Sequence, residues 1–170
     1  GADLSVATGD VFNRASLRFT GGRIDGDVDN DNSLIAQSGT ATVTGDIANA
    51  AAVGISAGAR LNVGTLDNAA IGTVTIAGTL GGDLDNANLA DIDGAVTGDV
   101  TNAATGTIRL AGDVGGLVLN DGGRVNVDGD ASAGTALRNA GGTVDVVSGA
   151  TFSGNVNNNA AGILTVRGAV

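Results

Sequence analysis

The sequence predicts an all-β chain wound as a parallel β-helix, a β-solenoid of about nine coils with about 18 residues each. Three observations predict it. A short phrase, Gly-Asp-aliphatic-x-Asn, returns nine times in 170 residues. Successive copies start 17, 19, 19, 18, 16, 18, 18 and 20 residues apart. Between copies, aliphatic residues and glycines alternate with small or polar ones, the two-residue period of an extended strand.

The phrase is the first element of each coil. Gly9–Asn13, Gly26–Asn30, Gly45–Asn49, Gly64–Asn68, Gly82–Asn86 and Gly98–Asn102 are close copies. Gly116–Asn120, Gly134–Asn139 (with one extra residue) and Gly154–Asn158 are looser. Parity then assigns the inner face. From Gly98 onward it holds Val100 and Asn102, and after a short loop Ile108, Leu110, Gly112, Val114, Gly116, Val118 and Asn120. The intervening Thr107, Arg109, Ala111, Asp113, Gly115, Leu117 and Leu119 are mostly small or polar and face out. Val74, Ile76, Gly78, Leu80, Gly82, Leu84 and Asn86 repeat the inner series, as do Ile92, Gly94, Val96, Gly98 and Val100. Inward glycines mark sharp bends. Phe19 and Phe152 fall on inward positions and Phe12 on an outward one.

Each coil then holds about three short strands, paired in parallel with their equivalents above and below. Ordinary parallel strands are apolar on both sides because both faces are covered. Here they alternate, so the outer side meets water. Coils with Gly39, Gly58 and Gly149 carry an extra residue near the middle corner, and the segment after each Asn is expected to vary most in length. Nine strands stacked about 4.8 Å apart give a rod about 40 Å long.

Two polar series accompany the core. Asn13, Asn30, Asn49, Asn68, Asn86, Asn102, Asn120, Asn139 and Asn158 recur once per coil and are read as a structural amide ladder at a corner. Asp10, Asp27, Asp46, Asp83 and Asp99 follow the phrase glycine, interrupted by Thr65, Leu117, Thr135 and Asn155. They are expected to form a solvated acidic face, with weak divalent-cation binding between coils as the sharper reading.

Metal and catalytic motifs are sparse. Asp27, Asp29 and Asp31 match the D-x-D-x-D opening of a calcium loop and are the candidate calcium ligands. The loop departs from that pattern at Asn32, where glycine is needed, and at Ser38, where a bidentate acid is needed. No other cofactor is expected. There is no His for acid–base work near neutral pH. The carboxylate pairs Asp91/Asp93 and Asp128/Asp130 lack an aromatic platform for a sugar, so the chain is read as non-catalytic. Thr40, Thr42 and Thr44, Thr73 and Thr75, and Thr105 and Thr107 form rows that change position from coil to coil, unlike an ice-binding array.

Composition narrows the partners. All eight cations are Arg and all 18 anions are Asp, for a net charge of −10. With 30 Gly, no Pro and abundant Asn, the chain suits tight corners rather than helices. So acidic a surface disfavours nucleic acid and anionic lipid. No apolar run approaches the length of a membrane-spanning helix, and there is no aromatic girdle of a membrane barrel. With no Cys, disulfides, thiol catalysis and Cys-based zinc sites are excluded. The first residue is not Met, and apolar coils stand at both ends, next to Leu4 and Val6 and at Ile163–Val170. The expectation is either a piece of a longer solenoid or a unit stacking end to end.

The wording Val96-Thr97-Gly98-Asp99-Val100-Thr101-Asn102, with its Gly-x-aliphatic-x-aliphatic-x-Gly spacers, resembles the passenger region of autotransporters and related adhesins of Gram-negative bacteria, along essentially the whole chain. The resemblance implies a secreted, usually right-handed parallel β-helix extending from the outer membrane. The segment Ile108-x-Leu110-x-Gly112-x-Val114-x-Gly116-x-Val118 is also similar to the core pattern of bactofilins, cytoskeletal β-helices that polymerise end to end. Residues 1–170 are thus expected to be one structural β-solenoid domain of a bacterial cell-surface or secreted fibre, or else a cytoplasmic filament subunit. The expected partners are further coils or copies of itself end to end and a surface receptor. For the receptor, the corners Asn102–Gly106 and Asn120–Arg124 are the candidate contacts.

Overall fold

A computed structural model describes residues 5–6 and 9–170, with side chains from residue 9 onward. Leu4 and the side chain of Val6, beside which the first coil is expected to open, lie outside the described residues. The described chain is all-β, parallel throughout its ladders, and holds no helix, hence none long and apolar enough to cross a membrane. It winds as a three-faced β-solenoid with nine rungs on each face, eight rung-to-rung steps in all.

The Asn face carries the repeated phrase, as in Val28–Asn30, Ile47–Asn49 and Val100–Asn102. The second face carries strands such as Thr73–Ile76, Leu89–Ile92 and Thr107–Leu110 and forms its own nine-stranded sheet. The third face carries Thr40–Val43, Ala95–Val96, Asp113–Val114 and Asp130–Ala133. Two strands, Arg60–Asn68 and Thr79–Asn86, run unbroken through the corner between the third face and the Asn face. They join those faces into one 16-stranded sheet.

Register follows the repeat. Leu84, Val100 and Val118 stack in one column and Asn86, Asn102 and Asn120 in the next. On the second face, Val74, Ala90, Ile108 and Val125 stack, with Ile76, Ile92, Leu110 and Val127 beside them. These columns are buried, and the core runs continuously from Phe19 to Phe152. The strands alternate because the solenoid has one dry side, and each fully buried aliphatic side chain contributes about 1.5–3 kcal/mol. Phe19 and Phe152 lie in the core, while Phe12 is 63% exposed, each on the side its parity predicts.

The expected location of length variation needs correcting. Four positions separate Asn49 from Val53 and six separate Asn102 from Ile108. The rest of the coil varies more: eight positions separate Ile92 from Val100, and eleven separate Ile55 from Leu66. Third-face strands accordingly run from two residues, Ala95–Val96, to four, Thr40–Val43, and the register slips between Asn62 and Thr65 where this face shortens. The corner after Asn is held by ladder bonds, whereas the third face tolerates an added pair of residues that turns one more side chain inward. In the longer coils, Gly39, Gly58 and Gly149 adopt left-handed φ of 65°, 76° and 88° at the middle corner, a conformation open to glycine at little cost.

Candidate functional surfaces

The Asn side chains form one unbroken ladder. Each Nδ2 donates to the Oδ1 of the Asn one coil on: Asn13 to Asn30 at 2.6 Å, Asn68 to Asn86 at 2.8 Å, Asn102 to Asn120 at 2.8 Å, Asn139 to Asn158 at 2.7 Å. The four remaining steps, Asn30–Asn49, Asn49–Asn68, Asn86–Asn102 and Asn120–Asn139, run in the same direction. Each amide also holds the corner that follows it; Asn102 Nδ2 donates to Gly106 O and to Arg124 O at 3.1 Å each. The ladder thus satisfies carbonyls that the bent backbone leaves without a strand partner. From Asn30 to Asn139 these amides are buried, so bonding rather than solvent meets their polarity.

The Asp series has a role that sequence reading missed. The carboxylates are exposed, as their parity predicts, but four of them reach across to the next coil. Asp27, Asp46, Asp83 and Asp99 each use Oδ1 to accept the backbone N–H of the residue after the next phrase glycine, in Asp46, Thr65, Asp99 and Leu117 respectively, at 2.7–2.8 Å. The row is therefore a series of corner clamps rather than only a solvated face. Leu117 has no such group, and there only the ordinary corner bond remains, Thr135 N–H to Gly116 O at 3.0 Å, the equivalent of Gly64 N–H to Gly45 O at 3.0 Å in a clamped coil. The clamp also explains the glycine. A Cβ on Gly45, Gly64, Gly98 or Gly116 would meet the clamping carboxylate of the preceding coil. Gly and Asp are thus coupled between coils as well as within the phrase, a signal that only a rung-by-rung alignment of the chain on itself would have disclosed.

Gly64 isolates this coupling, because the nearest atom to an added Cβ is Asp46 Oδ1 and the backbone lies 3.4 Å away. Gly64→Ala is expected to cost about 1–2 kcal/mol by expelling the Asp46 side chain, and Asp46→Ala about the same by orphaning the Thr65 N–H. The double variant should be no less stable than Asp46→Ala alone, because the clash and the lost bond share one cause. Urea unfolding of the four proteins checks it, and strict additivity would refute the clamp.

The calcium candidates do not gather. Asp27 Oδ1 is occupied by the Asp46 N–H, Asp29 stands mid-strand in Val28–Asn30, and Asp31 lies beyond the strand, 3.9 Å from Arg14 Nε. Alternate residues of an extended strand sit about 6.6 Å apart, whereas a calcium loop curls its ligands round the ion. Among the described residues no group of three or more acidic, His or Cys side chains is placed to hold a metal.

The paired carboxylates fall on two faces. Asp91 lies in Leu89–Ile92 on the second face with Asp93 just beyond, while Asp130 opens a third-face strand and Asp128 precedes it. Partial burial holds the Asp91 carboxyl above the usual carboxylate range, reinforced by Asp93 and Asp128 and opposed by Arg109. The folded pKa is therefore above the unfolded one, so ionised Asp91 opposes folding, and that penalty disappears as pH falls through the folded pKa. Asp91→Asn is expected to raise the thermal midpoint at pH 7 and to leave it unchanged below the ordinary Asp value of about 3.9. A third-face groove of about 300 Å³ is lined by Asp113, Asp130, Ser132, Thr151 and Ser153, with Ser132 Oγ donating to Asp113 Oδ1 at 2.6 Å. Asp145, not singled out by the sequence, is only 7% exposed and pairs with Arg167 and, at 3.8 Å, with Arg124, tying three successive rungs together.

The corners Asn102–Gly106 and Asn120–Arg124 lie one above the other, so that a Cβ on Gly122 would touch Ala104 at 3.2 Å. Their tips, Ala104, Thr105, Asp121 and Gly122, are exposed. Compared with known protein families, curated proteins and solved structures, the chain matches none significantly. The class is set by the fold itself: a parallel β-solenoid carrying an internal, unidirectional Asn ladder and an outer series of Asp corner clamps.

Proposed function

We propose that this chain is a structural, non-catalytic segment of a bacterial cell-surface or secreted fibre, serving as stalk or adhesive surface. The observation that carries the reading is the unbroken Asn ladder from Asn13 to Asn158 beside continuous aliphatic columns. Such a chain of identical contacts transmits load along the rod and leaves the outer faces free to vary. The resemblance to autotransporter passengers supports an extracellular location, and the exposed corner tips are the natural place for receptor contacts.

A second reading, a filament subunit that polymerises end to end, is supported by the similarity of Ile108–Val118 to the bactofilin core pattern. Negative-stain electron microscopy at several concentrations, with and without calcium, separates the two. Monodisperse rods about 40 Å long support the fibre segment, and long unbranched filaments support the subunit. Antibody labelling of intact against permeabilised cells tests the location: signal only after permeabilisation would sink the cell-surface reading.

A further inference from the structure

Glycine follows aspartate four times in the chain, at Asp25–Gly26, Asp93–Gly94, Asp121–Gly122 and Asp128–Gly129. Such a bond carries a latent reaction. The glycine nitrogen can attack the side-chain carboxyl carbon of the aspartate before it, and glycine, having no Cβ, hinders that approach least. The attack needs an amide free of other bonds and a backbone with room to close a ring.

The solenoid treats the four amides differently. Gly26 N–H donates to Thr44 Oγ1 at 3.1 Å and Gly94 N–H to Ile76 O at 2.8 Å, each on an adjacent coil. The N–H groups of Gly122 and Gly129 have no hydrogen-bond partner among the described residues. Gly129 is half-buried and packs on Ala111, whose Cβ lies 2.7 Å from the place a Cβ would take. Asp121 and Gly122 are both exposed, at the tip of the corner Asn120–Arg124. That corner is anchored on either side of them. Asp121 N–H donates to Asn102 O at 2.8 Å, Asn120 Nδ2 to Gly123 O at 3.0 Å, and Arg124 N–H to Gly106 O at 2.9 Å. The Arg124 side chain turns to Asn126 and Asp145, away from the tip. Glycine is also demanded at the tip, since Gly122 has a left-handed φ of 93° and a Cβ would touch Ala104 at 3.2 Å. The fold thus keeps this one reactive pair both exposed and unbonded.

We propose that Asp121 is a site of spontaneous isoaspartate formation in the folded solenoid. Gly122 N attacks Asp121 Cγ and a molecule of water leaves, closing a succinimide. Water then adds to either carbonyl of the ring. Addition at the side-chain carbonyl restores aspartate. Addition at the main-chain carbonyl routes the backbone through the former side chain and leaves the α-carboxylate free. Mass and charge are unchanged, but the backbone gains a methylene at an exposed tip, where an added atom is tolerated. The inference holds for a fibre segment and a filament subunit alike.

The test incubates the whole folded chain near neutral pH at body temperature and follows isoaspartate by tryptic mapping with electron-transfer fragmentation, which distinguishes the two linkages. Cleavage at arginine places the four Asp–Gly bonds in separate peptides, 24–60, 61–109, 110–124 and 125–138. Peptide 110–124 is expected to lead. It should outpace 24–60 and 61–109 by about fivefold or more, because there an amide hydrogen bond must first be broken. In chain unfolded with urea the four bonds should react at similar rates. Asp121→Ser should abolish the signal in peptide 110–124, which also holds Asp113, with circular dichroism reporting that the variant is folded. A lead by any other peptide in the folded chain, equal rates in all four, or isoaspartate at Asp121 only after unfolding would overturn the proposal.

Discussion

Replacing Asn102 by Leu is expected to destabilise the solenoid by about 2–4 kcal/mol although the side chains are of similar size. Asn102 is fully buried, accepts from Asn86 Nδ2, and donates to Asn120 Oδ1, Gly106 O and Arg124 O. Leu removes all of these at once. Asn120 Oδ1 is left in the interior with no donor, and the corner at Gly106 loses its side-chain brace. An orphaned buried acceptor costs far more than an ordinary hydrogen bond contributes. Neighbouring coils depend on each other in sequence, so the damage should be local at first. Amide hydrogen exchange is expected to accelerate in the coils around residues 84–125 before urea unfolding shows the whole rod losing structure. An Asn157→Ala control, at an exposed position one residue from the ladder, should change stability by less than about 0.5 kcal/mol. Equal effects of the two substitutions would show that the ladder is incidental.

Gly112→Ala is expected to cost about 3 kcal/mol, at the upper end for adding one methyl group to a packed interior. Gly112 sits inward at the middle corner, stacked on Gly94, and a Cβ there would run into the Gly94 carbonyl, with the Gly94 and Asp93 carbonyl carbons 2.9 Å away. Gly94 meets Gly78 in the same way one coil below. The obstacle is backbone, so no side-chain rotation relieves it and the two coils must move apart. Gly54→Ala, where nothing lies within 4 Å, supplies the contrast and should be nearly silent. Thermal unfolding of the two variants side by side checks the difference, and a comparable change in both would show that close approach to the Gly94 carbonyl is not what requires glycine at 112.

How legible the molecule was depends on what each feature rests on. The alternation that made Val100, Ile108, Leu110, Val114 and Val118 inward is a property of an extended chain, and all five are buried. The period brought the nine Asn into register because equal coils stack equal residues. The Asp clamps were not legible, since parity gives the side on which Asp46 points but not that a glycine one coil on leaves room for its carboxylate to reach the Thr65 N–H. The same limit hid Asp145, whose burial comes from Arg124 and Arg167 on adjacent rungs and not from its own outward position. It also misplaced the variable part of the coil, because the ladder bonds that restrain the Asn corner are contacts between coils.

The sequence by itself therefore determined the strand period, the inward set and the stacking of the Asn, because these follow from local geometry repeated at a fixed interval. Tertiary structure alone decided which outward groups are spent and which are free. Asp27, Asp46, Asp83 and Asp99 are committed to backbone on the next coil, while Asp29 and Asp67, one rung to either side of Ala48 in the same outward column, have no side-chain partner among the described residues. The physical reason is that a hydrogen bond or a notch between coils is set by distances of a few ångströms between residues some 16 to 20 places apart, and a repeating pattern fixes the order of those residues without fixing the gap between them.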